Sequence, residues 1–124
     1  MKSIEQVLKK DFDKLHGFAD DDVTVLDPAV GTGTFLWLVY LRTLVSLKER
    51  GLGGLIKNKI ENHILKDFYG FEISITPYII AHLKLTTVVN KWFYKLRDID
   101  RIQVFLTNTL ELSEIHELFP FMRE

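Results

Sequence analysis

The stretch Val23-Thr-Val-Leu-Asp-Pro-Ala-Val-Gly-Thr-Gly-Thr-Phe-Leu36 decides how this chain is read. A β-branched run ends in an acid, turns through Pro28, Gly31 and Gly33, and enters an apolar segment with helical character. Val23 to Leu26 is too continuously apolar and β-branched for an exposed strand, which predicts a strand buried in a parallel sheet. A strand, a glycine loop and a helix start in immediate succession present backbone N–H groups to a bound small molecule. None of these side chains is a nucleophile or a tuned base, so the stretch predicts a binding site and not a reaction centre.

Working outward, Ile4, Val7, Leu8, Phe12 and Leu15 fall at helical spacing, which predicts an amphipathic helix over 3–16 with Ser3 as N-cap and Gly17 as its stop. The three aspartates at 20–22 read as a solvated turn, because a calcium loop needs alternating ligands and a closing glutamate. Thr34 to Arg50 reads as a helix closed by Gly51, and Leu55 to Lys66 as a second helical segment. Phe68 to Glu72 reads as a second strand, again ending in an acid. Thr76-Pro77 then opens a helix running to about Lys95, with proline in the first turn where its missing N–H costs nothing. Arg101 to Thr107 is the third predicted strand, followed by a tail over 111–124 with weak helical spacing. Strands that alternate with helices predict an α/β fold with a parallel sheet.

The chain has 124 residues, 47% of them apolar, enough for a single domain over 1–124 with a real core. Its net charge of −1 lacks the basic footprint of a nucleic-acid-binding domain, so a DNA-gripping surface is expected outside it. Zero cysteines excludes disulfides, thiol catalysis and cysteine-ligated zinc, and fits a cytoplasmic setting. Phe35 to Val45 is the longest apolar stretch, and it carries Arg42 and is too short to span a bilayer.

Three strand ends carry candidate ligand groups. The glycines at 31 and 33 allow close approach of a ligand to the backbone, and the following helix places N–H groups and a positive dipole end nearby. Asp27 would repel a pyrophosphate and suits a cationic amine, so this end favours a zwitterion. Glu72 can accept both hydroxyls of a ribose. Asn108 in Thr107-Asn-Thr109 can pair with an adenine edge, although it is equally a common turn residue. An amine-and-carboxylate site, a ribose site and an adenine site in chain order describe S-adenosylmethionine.

Asp27-Pro-Ala-Val-Gly-Thr-Gly-Thr-Phe-Leu36, Tyr69-Gly-Phe-Glu-Ile73 with Pro77 and Ala81-His-Leu-Lys-Leu85, and Leu106-Thr-Asn-Thr-Leu110 resemble the adenine-N6 amino-methyltransferase domain of restriction–modification enzymes. The similarity is greatest to the single-polypeptide type that joins helicase and methyltransferase domains, and it runs from about Ser3 to about Leu112. It implies a partial Rossmann-like S-adenosylmethionine-dependent methyltransferase fold, with three parallel strands and flanking helices. It also implies cofactor contacts at Asp27, Pro28, Ala29, Gly31, Thr32, Gly33, Thr34 and Phe35, at Glu72 and Ile73, and at Asn108 and Thr109. Of these, Asp27, Gly31 and Gly33 would meet the methionine moiety, Glu72 the ribose and Asn108 the adenine.

The chain also departs from the family pattern. Such enzymes use an Asn-Pro-Pro-Tyr or similar tetrapeptide to hold a flipped adenine. The only prolines here are Pro28, Pro77 and Pro120, none adjacent, so no catalytic residue is expected. The expectation is therefore a truncated, cofactor-binding half. Alternatives are one subunit of a split enzyme, or a non-enzymatic α/β domain with a vestigial loop. Half a doubly wound sheet leaves the first strand as an open edge, which predicts a homodimer or a second methyltransferase chain.

The remaining residues carry weaker signals. His16, His63, His82 and His116 lack a ligand spacing and read as surface or packing residues, so no metal is expected. Phe12, Trp37, Trp92, Phe93 and Tyr94 read as core or helix-face aromatics. Lys91, Lys95, Arg97 and Arg101 form a modest basic cluster that reads as a solvated helix end rather than a DNA patch.

Overall fold

The computed structural model describes residues 2–12, 14, 16–92 and 94–107. Phe93, Leu15, Asn108, Thr109, His116 and the 111–124 tail lie outside the described residues, as do the side-chain cap expected of Ser3 and the contacts expected of Asn108 and Thr109.

The described chain is α/β. Three strands, β1 (Val25–Asp27), β2 (Phe68–Glu72) and β3 (Val104–Leu106), form a parallel sheet in the order β1-β2-β3. Asp27 pairs in register with Gly70, and Glu72 with Leu106, so the carboxyl ends of the strands lie along one side of the sheet. Among the described residues β1 lies at one edge of the sheet. The strands at the two ends are shorter than the apolar runs that predict them, and β2 has the expected bounds.

Helix α2 (Thr34–Glu49) follows β1. It buries Leu36, Val39, Tyr40, Thr43, Leu44 and Leu47, the i, i+3, i+4 spacing of a core-facing stripe. Thr43 is fully buried and its hydroxyl donates to the Val39 carbonyl at 2.8 Å, which satisfies it. Gly51 ends this helix in the left-handed conformation, φ 71°, as read from the sequence. The return to β2 is helical but irregular: α3 (Ile56–Lys59), a π-helical turn over Ile60–Ile64, and α4 (Leu65–Asp67). The π turn brings Ile60, His63 and Ile64 inward.

Helix α5 (Ile75–Lys91) follows β2 and buries Ala81, Leu85, Val88 and Val89. It begins after Ser74, with Pro77 in its first turn, and ends four residues before the expected Lys95. The core joins α2, α5 and the irregular helix to the sheet, with Phe68 touching Tyr40 and His63 at ring-centroid distances of 6.0 and 4.9 Å.

The N-terminal helix corrects the sequence reading. α1 spans Lys2–Asp11 and not 3–16. Most of its expected apolar stripe faces outward: Phe12 is 62% exposed, with Ile4 and Val7 also exposed, so Phe12 is not a core aromatic. The buried residue is Glu5, whose carboxylate takes two hydrogen bonds from Arg42 on α2, at 2.8 and 3.2 Å. A bidentate charged pair thus docks α1 where periodicity predicted apolar packing.

The aspartates at 20–22 are not merely solvated either. Asp20 accepts from the His16 N–H at 3.1 Å, Asp21 pairs with Lys59 at 2.6 Å, and Asp22 pairs with Lys14. Lys59 also donates to the Ala19 carbonyl at 2.7 Å, which ties this turn to α3. Among the described residues no cluster of His, Cys, Asp or Glu can hold a metal, and no helix is long and apolar enough to cross a membrane.

Candidate functional site

The glycine loop crosses the carboxyl end of the sheet and is bonded to β2. The Val30 N–H donates to the Phe71 carbonyl at 2.9 Å, and the Gly31 N–H donates to Glu72 Oε1 at 2.9 Å. Glu72 Oε2 accepts from the Ser74 N–H at 2.7 Å. One carboxylate therefore ties the loop after β1 to the turn after β2. These N–H donors, Ser74 first and then Gly31, hold the Glu72 carboxyl below its ordinary range. Each carboxylate oxygen keeps a further lone pair for an external hydroxyl.

The two loop glycines do different work. Gly31 has φ 59°, and a Cβ built there would meet nothing within 4 Å. Its constraint is conformational, and the space beside it is open. Gly33 has φ 85°, and its Cβ would lie 3.1 Å from both Cα and Cβ of the fully buried Ala81. Gly33 therefore lets the start of α2 approach α5. Its carbonyl accepts from the Trp37 N–H at 2.8 Å, and the helix start has no side-chain cap, which leaves its first N–H groups to solvent or a ligand.

A third glycine, Gly70 of β2, escaped the sequence reading. Its Cβ would lie 2.2 Å from Val30 Cγ2 and 3.0 Å from Leu36 Cδ1. Val30 sits directly over this bare backbone, so Gly70 is what lets the loop lie flat on the sheet. The available signal was a glycine inside a strand, which often marks close approach of another segment.

Asp27 ends β1 and accepts from the Ala29 N–H at 3.0 Å through Oδ1. That bond shapes the turn around Pro28 and leaves Oδ2 free for a ligand. Ile73, next to Glu72, is 67% exposed, an apolar side chain standing free at the rim. On α5, Lys84 donates to the Thr34 hydroxyl at 3.2 Å. The Thr107 N–H donates to the Glu72 carbonyl at 2.8 Å, so Thr107 lies beside the end of β2. The structure thus brings Asp27, the loop and Glu72 with Ile73 to one sheet end. Phe35, Thr34 and Gly33 form the entry into α2.

The expected histidines are packing residues. His63 is 1% exposed, its ring nitrogens 2.7 Å from Asp67 Oδ2 and 2.8 Å from the Phe18 carbonyl, and His82 lies 2.9 Å from the Val104 carbonyl. The basic cluster divides. Arg101 turns to the carbonyls of Asp98 and Asp100. Lys91, Lys95 and Arg97 instead line a cavity of about 880 Å³ at the opposite end of the sheet, together with Lys48, Lys57 and Trp92.

In α/β domains with parallel sheets, small-molecule sites commonly lie at the carboxyl ends of the strands, where this chain places its glycine loop and acidic strand ends. No protein-family model matches this chain, and neither does any curated protein. Solved structures do match, two of them as follows. One is a nuclease-deletion mutant of the Type ISP restriction–modification enzyme LlaGI in complex with a DNA substrate mimic, with TM-score 0.61 and 31% identity over 85% of this chain. The other is the ATP-dependent Type ISP restriction–modification enzyme LlaBIII bound to DNA, with TM-score 0.60 and 28% identity over 90% of this chain. The chain is related to Type ISP restriction–modification enzymes and spans 8% of the length of each of these two.

Proposed function

We propose that residues 1–124 form the S-adenosylmethionine-binding half of an adenine-N6 DNA methyltransferase of a restriction–modification system, built on part of a Rossmann-like methyltransferase fold. The observation that supports this reading is the bond from the Gly31 N–H to Glu72, which brings the glycine loop and the end of β2 together. The open space beside Gly31, the free lone pairs of Asp27 and Glu72 and the bare Ile73 side chain fit the cofactor's parts. Asp27 would take the ammonium, the start of α2 the carboxylate, Glu72 the ribose and Ile73 the purine face, with Asn108 and Thr109 at the adenine edge. The cofactor supplies an activated methyl group on a sulfonium. This chain's residues bind and orient, and none is proposed to carry out transfer, because the chain lacks the Asn-Pro-Pro-Tyr tetrapeptide.

Isothermal titration with S-adenosylmethionine and its demethylated product tests the reading. Weak saturable heat is expected, falling tenfold or more in Glu72→Gln and Asp27→Asn, the loss expected for a bond to a charged group. Absence of heat at millimolar ligand overturns it. The position of β1 at the sheet edge favours a second reading, a split enzyme or homodimer in which another chain pairs with that edge. Light scattering after size-exclusion chromatography is expected to show self-association, and a clean monomer counts against it.

A further inference from the structure

The cavity at the far end of the sheet is the second feature of the molecule with ligand-binding chemistry. α2 and α5 both start at the carboxyl ends of the strands, so their last residues lie at the amino ends, away from the glycine loop. Lys48 stands in the last turn of α2, Lys91 ends α5, Lys95 follows it, and Lys57 projects from α3. All four line the cavity, and among the described residues none of them forms an ion pair.

The one acid in the lining, Glu61, is matched by Arg97 at 3.7 Å and by the Tyr94 hydroxyl at 3.2 Å. Arg97 is itself held by Asp100, and buried Tyr94 bridges Glu61 and Asp100, so this wall is braced. Two helix carboxyl ends offer about half a negative charge each. Four free ammonium groups exceed that, together with the one negative charge left when Arg97 is set against Glu61 and Asp100, by about two charges. In a chain of net charge −1 such a concentration creates a local positive field that the total conceals.

Trp92 supplies the other element. Its ring is half-buried in the cavity wall with Lys48 Nζ 5.9 Å from the ring centroid. Spaced ammonium groups along an open groove, with one aromatic face, match a string of phosphates carrying an unstacked base. A duplex buries its bases and cannot use that face without flipping one out.

We propose that this groove binds single-stranded nucleic acid, with Lys48, Lys57, Lys91 and Lys95 on successive phosphates and Trp92 stacked on a base. The site is separate from the glycine loop and does not depend on the cofactor reading. Anisotropy of a fluorescein-labelled oligothymidine of about 12 nucleotides, titrated with the full chain at about 50 mM salt, tests it. Micromolar binding is expected, with a log–log salt slope of about −3 for four phosphate contacts on a single strand. Lys91→Gln/Lys95→Gln should roughly halve that slope. Trp92→Leu should weaken binding about five- to a hundredfold with the slope unchanged. The thermal midpoint of each variant, and the S-adenosylmethionine titration of the lysine variant, should match the parent. Any one of three results overturns the proposal: no binding, a slope indifferent to the lysines, or duplex and inorganic pyrophosphate binding as well as the single strand.

Discussion

Placing a methyl group on Gly70 is the sharpest test of how the loop is seated. An added Cβ would sit 2.2 Å from Val30 Cγ2, against the 3.5–4.0 Å of an ordinary carbon contact, so about 1.5 Å must be found. Val30 cannot supply it by swinging a flexible tip, because a β-branched side chain is stiff at χ1. Its backbone is also pinned on both sides, by the N–H bond to Phe71 at 2.9 Å and the bond from Gly33 to its carbonyl at 3.1 Å. Relief must come from lifting the loop, which strains the packing by about 1–3 kcal/mol and weakens one backbone bond worth about 1 kcal/mol. Alanine's lower chain entropy returns about 0.5–1 kcal/mol. Gly70→Ala is therefore expected to cost about 2 kcal/mol.

Val30→Ala removes two methyl groups from a residue only 5% exposed, a loss of about 2 kcal/mol. Independent effects would add to about 4 kcal/mol. In Val30→Ala/Gly70→Ala the new methyl occupies the space the old ones leave, so the pair is expected to cost about 2 kcal/mol, a favourable coupling of similar size. Guanidinium unfolding of the four proteins, followed by the fluorescence of Trp37 and Trp92 at constant m-value, measures this. Costs that add within about 0.5 kcal/mol, or a Gly70→Ala protein as stable as the parent, would refute the seating of Val30 on Gly70.

Gly33→Ala should lower the urea midpoint clearly more than Gly31→Ala. Both pay for a left-handed backbone, about 1–2 kcal/mol, but only position 33 also collides with Ala81. In thermal melts Arg42→Ala should cost more than Glu5→Ala. It leaves a carboxylate whose side chain is 9% exposed with only the longer 3.8 Å pairing to Lys9, about 2 kcal/mol, whereas Arg42, 36% exposed, can turn to water. Asp100 is held down at about 2, first by the Arg97 side chain and then by the Arg97 N–H and the Tyr94 hydroxyl. A depressed carboxyl stabilises the fold above its unfolded pKa, so this contribution, about 2 kcal/mol, should vanish as pH falls from about 4 to about 2. Stability curves of Asp100→Asn should be lower at neutral pH and flatter across that acid window.

Legibility from the sequence followed the range of the forces involved. β2, α2 with its stop at Gly51, and the start of α5 near Pro77 were readable because each is marked by neighbours in the chain: an apolar run, a helix-period stripe, a glycine or a proline in a tolerated place. Asp27, Gly31 and Glu72 were readable for the same reason, since each closes or follows a strand. α1 was misread because its orientation is decided 37 residues away, where Arg42 claims Glu5 and turns the expected apolar stripe outward. Periodicity weighs only local burial and has no means to favour an acid over Phe12.

The same limit explains the two candidate sites. At the carboxyl ends of the strands, topology gathers residues that each announced themselves, so the loop and Glu72 needed only the register to bring them together. At the amino ends, the lysines of α2, α3 and α5 come from segments in which each, alone, looks like a solvated residue or a partner for a helix dipole. Convergence is what changes their chemistry: four unpaired ammonium groups around one indole no longer serve three separate helices. A charge-reversing Lys91→Glu substitution separates the two views. If Lys91 merely offsets the dipole of α5, reversal should cost under about 1 kcal/mol of stability and nothing else. If the four act together, the same substitution should leave the fold standing and weaken oligonucleotide binding about as much as neutralising two of the lysines, with a comparable loss of salt slope.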